Sequence, residues 1–501
     1  MSQAPLPPDQ LDDIPPEAAS HMGGSAQLIG TSGAFSKSGM AWVIFELARN
    51  PYYNLIVVYI FATYFAEQVA GGGAQGFATA SLVGTIAGMV AAPTSPILGL
   101  IADQAGRRKP AIAIFLTMLG TCAALLWFSK PEGQGGLGVP LTMLILVVGY
   151  CSYTYSETLH NAMLPSAARP SAVPLLSGMA LASANFASVG MFIAFLALLA
   201  LPAVPAFGLD KDSFEHIRIV GPFIAIWLAI FIIPFFLFMP DFAGTGVSWK
   251  QATRRFFRGT DAAPQTARQR FGVFIAYVKS LWRDENNATR FLLARTIYAD
   301  GMHALLFLSA VYVVTFLDWN PIEMTLFAIM GLLFGGVGGL VGGILDRVFG
   351  CRVALNIEIM FVVILAVFQL SITQESILYG LIPGDTQVWS GELFPGTEDT
   401  VFPTLSDLAY ACAIIPGAIA IVAVIASSRS MLVHVAPPAR IGEFFGLYAI
   451  AGTVTVWMGP GLVSVLTALS GSQRVGMAGI GILFFAGLAV LQTVKDNPVE
   501  T

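Results

Sequence analysis

The chain has 501 residues, of which 56% are hydrophobic and 11% charged, and a formal net charge of −5. A soluble domain carries roughly 25% charged residues, so these values exclude an ordinary water-soluble globule. Together with a mean hydropathy of +0.74 they make the lipid bilayer the expected solvent. The basic residues lie mainly in short loops, which argues against a nucleic-acid partner.

In chain order, residues 1–40 are rich in Pro, Gly and Ser and lack a basic start followed by an apolar run. They read as a disordered cytoplasmic tail rather than a signal peptide. A bilayer core takes about 20 apolar residues per helix. Twelve such spans follow, at 41–68, 77–102, 110–129, 139–163, 175–201, 219–240, 290–316, 323–346, 353–372, 405–432, 443–469 and 475–494. The expected fold class is an all-α integral membrane protein with twelve transmembrane helices in two pseudo-symmetric six-helix bundles. Residues 41–240 form the N-terminal bundle and 290–494 the C-terminal bundle, with a linker at 241–289 and a short cytoplasmic tail at 495–501.

Positive loops stay in the cytoplasm. The turn after the second span holds Arg107, Arg108 and Lys109, and residues 248–285 hold eight basic and three acidic residues. The stretch from Ser371 to Asp407 carries six acidic residues and no Lys or Arg. Both termini are therefore expected in the cytoplasm. Within the linker, Phe274, Ile275, Val278, Leu281 and Trp282 fall at helical spacing beside Arg270, Lys279 and Arg283, which predicts an amphipathic interfacial helix from Phe271. The outward loop 373–404 either caps the outer mouth or is merely tolerated there.

Cys122, Cys151, Cys351 and Cys412 are scattered, and three of them fall within spans, so they read as packing residues. No phosphate loop, zinc-ligand spacing or nucleophile elbow stands out. No enzymatic activity, cofactor or metal is expected, and uphill movement of a solute would have to draw on an ion gradient.

One polar string stands out, GLIADQAGRRKP from Gly99 to Pro110, with a fainter copy, GGILDRVFGCR, from Gly342 to Arg352. Asp103 and Asp346 lie 243 residues apart, about half the chain, which predicts two similar halves. The run FGGVGGLVGG, from Phe334 to Gly343, suits close helix approach, whether for sliding or for plain packing.

Charged side chains inside spans cost on the order of 2.5–3.5 kcal/mol each at the bilayer centre. Here they recur at helical spacing, where residues share a face. Glu46 and Arg49 lie on span 1, Glu157, His160 and Asn161 on span 4, and Arg295, Asp300 and His303 on span 7. Span 10 adds Ser427, Ser428 and Arg429. Spans 1, 4, 7 and 10 are equivalent if each half is built of three-helix units. Such a set reads as an inner gate or helix lock (Glu46, Arg49, Arg295, Arg429), or as a site for a zwitterionic or anionic solute or a proton (Glu157, His160, Asp300, His303). Tyrosines on spans 1, 4 and 7, including Tyr150 and Tyr153, are candidate cavity liners, with Tyr53 and Tyr298 favoured because they lie beside charged pairs.

The string Gly99, Asp103, Gly106, Arg107 and Arg108 resembles the signature of the major facilitator superfamily, with Gln104 replacing a basic residue. The copy keeps Gly342, Asp346, Arg347, Gly350 and Arg352, with one extra residue before Gly350. The resemblance implies that Asp103, and more weakly Asp346, braces neighbouring helices while the basic residues line a cytoplasmic turn, a conformational role. WVIFELARNPYY, HNAMLP, ARTIYADG, SSRSM and EFFGLY (which contains Glu443) look like the branch holding autophagy-related vacuolar amino-acid effluxers and their bacterial relatives. That resemblance spans about residues 41–494. It implies alternating-access secondary transport of a small polar solute, with amino-acid efflux and proton or sodium coupling as candidates. It also implies a monomer in the bacterial inner membrane. The branch usually has Asp and Asn where this chain has Glu46 and Arg49, and often Asn at His303. The alternatives are a transporter-like sensor and a lipid-handling protein without solute flux.

Overall fold

The computed structural model describes residues 33–161, 163–168, 173–241, 247–258, 280–388, 401–436, 444, 447–448, 451–452 and 455–495. Its main helices are α1 (Lys37–Pro51), α2 (Gly73–Ala105), α3 (Lys109–Leu125), α4 (Gly138–Asn161), α5 (Val173–Phe195) and α6 (Glu215–Arg218, Val220–Phe231 and Ile233–Phe238). They continue with α7 (Asn286–Leu317), α8 (Pro321–Phe349), α9 (Cys351–Leu370), α10 (Leu405–Val435), α11 (Met458–Ser470) and α12 (Gln473–Ala478 and Ile480–Leu491). Among the described residues, ten helices are long and apolar enough to cross a membrane. The spans expected at 41–68 and 443–469 are the ones interrupted. The first runs on from α1 through π-helical turns at Tyr52–Tyr59 and Phe65–Val69. The other is described only in parts, of which α11 has 13 residues.

Pro51 starts the irregular stretch. Proline has no N–H to return to the carbonyl four residues back, which is that of Leu47. The Trp227 indole of α6 donates to this carbonyl at 3.1 Å. A backbone acceptor that would be costly to leave bare in lipid is thereby satisfied.

Helix ends follow the sequence signals. The Asn320 side chain accepts from the Ile322 and Glu323 amides while Glu323 reaches back to the Asn320 N–H, a capping box with Pro321 at the first turn. Thr404 and Asp407 repeat the device at α10. Gly106 and Gly350 end α2 and α8 with φ of 79° and 81°, where a side chain would be strained. The Gly106 amide donates to the Ala102 carbonyl, and the Gly350 amide to the Asp346 carbonyl. The extra residue in the second copy thus moves its aspartate one helical step, about 100° around the axis.

Two bundles result. In one, α1 packs on α5, α2 on α4, and α3 on α4 and α6. In the other, α8 packs on α10, α9 on α10, and α7 on α12. Across the interface, α2 meets α11 and α5 meets α8. Advancing every helix number by six exchanges these two contacts, as a pseudo-two-fold relation requires.

The turns at Gly106 and Gly350 share one face, termed here the basic face. Arg108 and Lys109 donate their amides to Asp241, and Trp249 donates to the Arg107 carbonyl. Trp249 opens a helix, Trp249–Arg258, that buries Ala252 against Ile101 and Ala105 of α2. The helix expected from Phe271 lies outside the described residues up to 279; beyond it Leu281 is buried and Trp282 exposed. On the opposite, acidic face the ends of loop 373–404 fold onto the C-terminal bundle. They form a short hairpin (Ser376–Ile377 with Ile382–Pro383), and the Phe402 amide bonds to Glu323 at 2.8 Å. Residues 389–400 are outside the described set.

The glycine run of α8 is half packing device and half open surface. A Cβ on Gly338 would run into the Ile419 carbonyl of α10, and one on Gly342 would lie 2.9 Å from that of Ala423. Gly336, Gly339 and Gly343 face open space. Gly338→Leu is therefore expected to cost about 1–3 kcal/mol or more through forced helix separation, and Gly339→Leu almost nothing. Thermal midpoints of the two purified variants check this contrast.

Candidate functional site: a polar cavity between the bundles

A cavity of about 310 Å³ lies between the bundles. The N-terminal bundle supplies Asn50, Tyr53, Ser95, Tyr150, Tyr153, Thr154 and Glu157 to its wall. The C-terminal bundle supplies His303, Phe307, Gly452, Val456 and Pro460. Small residues make room where helices cross. A Cβ on Gly84 would meet the Phe307 ring at 2.7 Å, and one on Gly88 would lie 2.9 Å from the Trp457 backbone. Toward the acidic face the bundles touch. Ser464 of α11 donates to the Ala78 carbonyl of α2 at 3.1 Å, Phe77 packs edge-on to Tyr312, and Tyr59 to Phe327. A second hollow of about 280 Å³ lies beyond Tyr59 and is lined by Glu67, Asp318 and Trp319.

Beside the central cavity, α1 and α4 build one charge cluster. Arg49 is 1% exposed and binds Glu46 at 2.8 Å and Glu157 at 3.4 Å. Its guanidinium also donates to the Tyr153 carbonyl and lies 3.9 Å from the centre of the Tyr153 ring. Glu46 is 14% exposed, whereas Glu157 is 43% exposed and lines the cavity. With both carboxylates ionised the cluster is net negative by one.

The sequence spacing pairs His160 with Glu157; the structure pairs it with Glu46. Three residues along a helix leave about 60° between side chains. That is enough to turn Glu157 to the cavity and His160 into the packing of α1. His160 is fully buried, stacked on Trp42 at 4.5 Å and on Phe45 at 3.8 Å. Its Nε2 donates to the Trp42 carbonyl at 3.1 Å, the Trp42 indole donates back to the His160 carbonyl, and Nδ1 lies 3.2 Å from Glu46. Asn161 ends α4 on the surface.

On the C-terminal side the expected charges do not close into a ring. Arg295 sits on the Tyr448 ring, 3.4 Å from its centre, and donates to the Tyr448 carbonyl. It stands behind Gly452, whose added Cβ would lie 2.7 Å from its guanidinium. Arg429 is exposed and makes no ion pair among the described residues. Tyr298 is buried with its hydroxyl on Ser428 at 2.7 Å, which ties α7 to α10 rather than lining the cavity. Asp300 is 2% exposed. The Gly459 amide faces it, and no side chain among the described residues hydrogen-bonds it. His303, one turn on, does line the cavity.

The signature residues stand apart from this site, at the basic-face turns. Gly99 lies in the last turns of α2, and Gly106 and Arg108 are buried there while Arg107 is exposed. Asp346 is half-buried and Arg347 exposed. The side chain of Asp103 and all of Glu443 lie outside the described set. Sequence reasoning missed Ser95, Thr154, Gly452 and Pro460 as liners; uncharged small residues in a span give no signal of which face they take.

Two helical bundles related by a pseudo-two-fold, with a polar cavity at their interface, define a membrane transporter of the major facilitator type. The model of the vacuole effluxer Atg22-like family matches residues 75–497, and the chain belongs to that family. It is 21% identical over 466 residues to an uncharacterized MFS-type transporter, YxiO, of Bacillus subtilis (strain 168), covering 92% of this chain and 96% of that protein. Among solved structures, a POT family transporter in complex with 5-aminolevulinic acid superposes with a TM-score of 0.60 at 12% identity, over 93% of this chain and 98% of that one. A D-xylose–proton symporter superposes with a TM-score of 0.59 at 11% identity, over 92% and 97%. At these identities the likeness is one of fold.

Proposed function

We propose that the chain is a secondary active transporter that moves a small polar solute by alternating access. The observation that carries this reading is the interfacial cavity, walled by residues of both bundles, with its polar groups from the N-terminal bundle and His303, and closed toward the acidic face by Ser464–Ala78, Phe77–Tyr312 and Tyr59–Phe327. Rocking the bundles about such a site would open it to each side in turn. The two bundles are the units 41–240 and 290–494, joined by 241–289. The basic face is cytoplasmic by the positive-inside rule, with both termini there, and the host membrane is the bacterial inner membrane. The chain works as a monomer. Export fits the family description, and the resemblance of the sequence suggests an amino acid or a related metabolite, such as the corresponding amine, as the solute.

Coupling to protons uses Glu157, which lines the cavity, and Asp300, a buried carboxylate without a side-chain partner among the described residues, one turn from His303. A buried carboxylate away from counter-charges, as Asp300 is among the described residues, takes up a proton readily in a membrane, whereas Glu157 is exposed to the cavity and exchanges its proton or its Arg49 partner there. Purified protein in liposomes, assayed for solute flux with and without a pH gradient, tests this. Glu157→Gln and Asp300→Asn should flatten the dependence of flux on pH; wild-type dependence in both variants would reject the proton assignment.

A further inference from the structure

The charge and wall chemistry of the central cavity go further than a small polar solute. Among the described lining residues there is one carboxylate, Glu157, and no Lys or Arg. The opposite charges nearby lie outside that lining: Arg49 is 1% exposed, and Arg295, half-buried, stands behind Gly452. The wall beside Glu157 is aromatic. Tyr53, Tyr150 and Tyr153 lie with ring centres 5.5–6.5 Å apart and planes within 34° of one another. Aromatic faces and a carboxylate together attract a cation, more strongly where water is scarce. The chain already shows one such match, with the Arg49 guanidinium held between Glu157 and the Tyr153 face.

From this geometry we infer that the cavity binds solutes carrying a protonated amine and no carboxylate, with Glu157 as the counter-ion and the tyrosine wall as the platform. The inference rests on the cavity being the transport site. Arg49 makes the site workable. It holds Glu46 at 2.8 Å and Glu157 only at 3.4 Å, so an ammonium group can take Glu157 while Arg49 keeps a full partner. An acidic solute would instead bring its carboxylate toward Glu157 with no cation among the described wall residues to receive it. The remaining polar liners, Asn50, Ser95, Thr154 and His303, supply hydrogen bonds to the rest of the solute.

The test uses two sets of probes that share a carbon skeleton: isopentylamine, leucine and isopentyl alcohol; and tyramine, tyrosine and tyrosol. Binding to the purified full chain is read by thermal stabilisation, and movement by counterflow in proteoliposomes. The amines should stabilise the wild-type protein and the amino acids and alcohols should not. Glu157→Gln should weaken amine binding about tenfold or more, and Glu157→Asp, which keeps the charge, should retain most of it. Amino acids binding as tightly as amines, stabilisation by none of the six, or unchanged amine binding in Glu157→Gln would each overturn the inference. If Glu157→Gln does not fold, Tyr53→Leu replaces it, with weaker amine binding expected and unchanged binding overturning the inference. Amines that bind without counterflow would leave the inference standing and reject transport. Counterflow of an amino acid without amine binding would do the reverse.

Discussion

Replacing Arg49 with methionine is expected to lower the stability of the folded chain by about 3–5 kcal/mol, the usual cost of removing one partner from a buried ion pair. Glu46, 14% exposed, is left without its closest counter-charge at 2.8 Å, and a second carboxylate, Glu157, stands nearby. Glu157 is 43% exposed and keeps water, so most of the cost falls on Glu46. Adding Glu46→Gln to Arg49→Met should therefore recover most of the loss, because a neutral amide needs no counter-ion. Thermal midpoints of the wild-type, single and double variants in detergent measure this. A single variant within about 1 kcal/mol of wild type would mean that the cluster behaves like an exposed salt bridge and does not lock α1 to α4.

Tying the acidic-face ends of α2 and α11 together is expected to abolish flux. Ser464 reaches the Ala78 backbone at 3.1 Å, so cysteines placed at 78 and 464 can be joined by a short thiol cross-linker. All four native cysteines are free, with Cys412 exposed, so the pair belongs in a background where Cys412 is serine. A transporter that must part these helices to open toward the acidic face would lose transport on cross-linking and regain it when a reducible linker is cleaved. Solute binding to the central cavity from the basic face would survive. Undiminished flux through the cross-linked protein would show that α2 and α11 need not separate there.

The elements that the sequence revealed are those governed by length, apolarity and special backbone. Asn320–Pro321–Glu323 and Thr404–Asp407 announce helix starts because the capping atoms are encoded within four residues. Gly106 and Gly350 announce helix ends because few other residues accept their φ. The repeated string predicted two halves, and the exchange-related contacts α2–α11 and α5–α8 agree with it. The partners of buried polar groups were not legible. His160 sits three residues from Glu157, yet it finds Glu46 more than a hundred positions away, because Trp42 and Phe45 offer a slot for its ring. Arg295 could not be known to lie behind Gly452, nor Trp227 to repair the carbonyl that Pro51 leaves bare. Periodicity tells that a residue is on a face; only tertiary packing tells what that face meets.

The site also separates two roles that charge alone had blended. The basic-face turns, with Arg108 tied to Asp241 and Arg107 to Trp249, hold α2, α6 and the start of the linker together. They stand at the opposite end of α2 from the Ala78–Ser464 contact. The wall built from α1 and α4, where Glu157 and the tyrosines meet the cavity, is the part to which we assign specificity as a proposal.

Counterflow is the measurement that bears most directly on transport through this cavity. Proteoliposomes containing the purified chain are preloaded with an unlabelled solute that stabilises the protein, and uptake of the labelled solute is followed without any ion gradient. Transport through the interfacial cavity predicts a saturable, transient accumulation of label that in Glu157→Gln needs a higher solute concentration. Label that binds in proportion to protein but never accumulates in the lumen, whatever the preload, would contradict it.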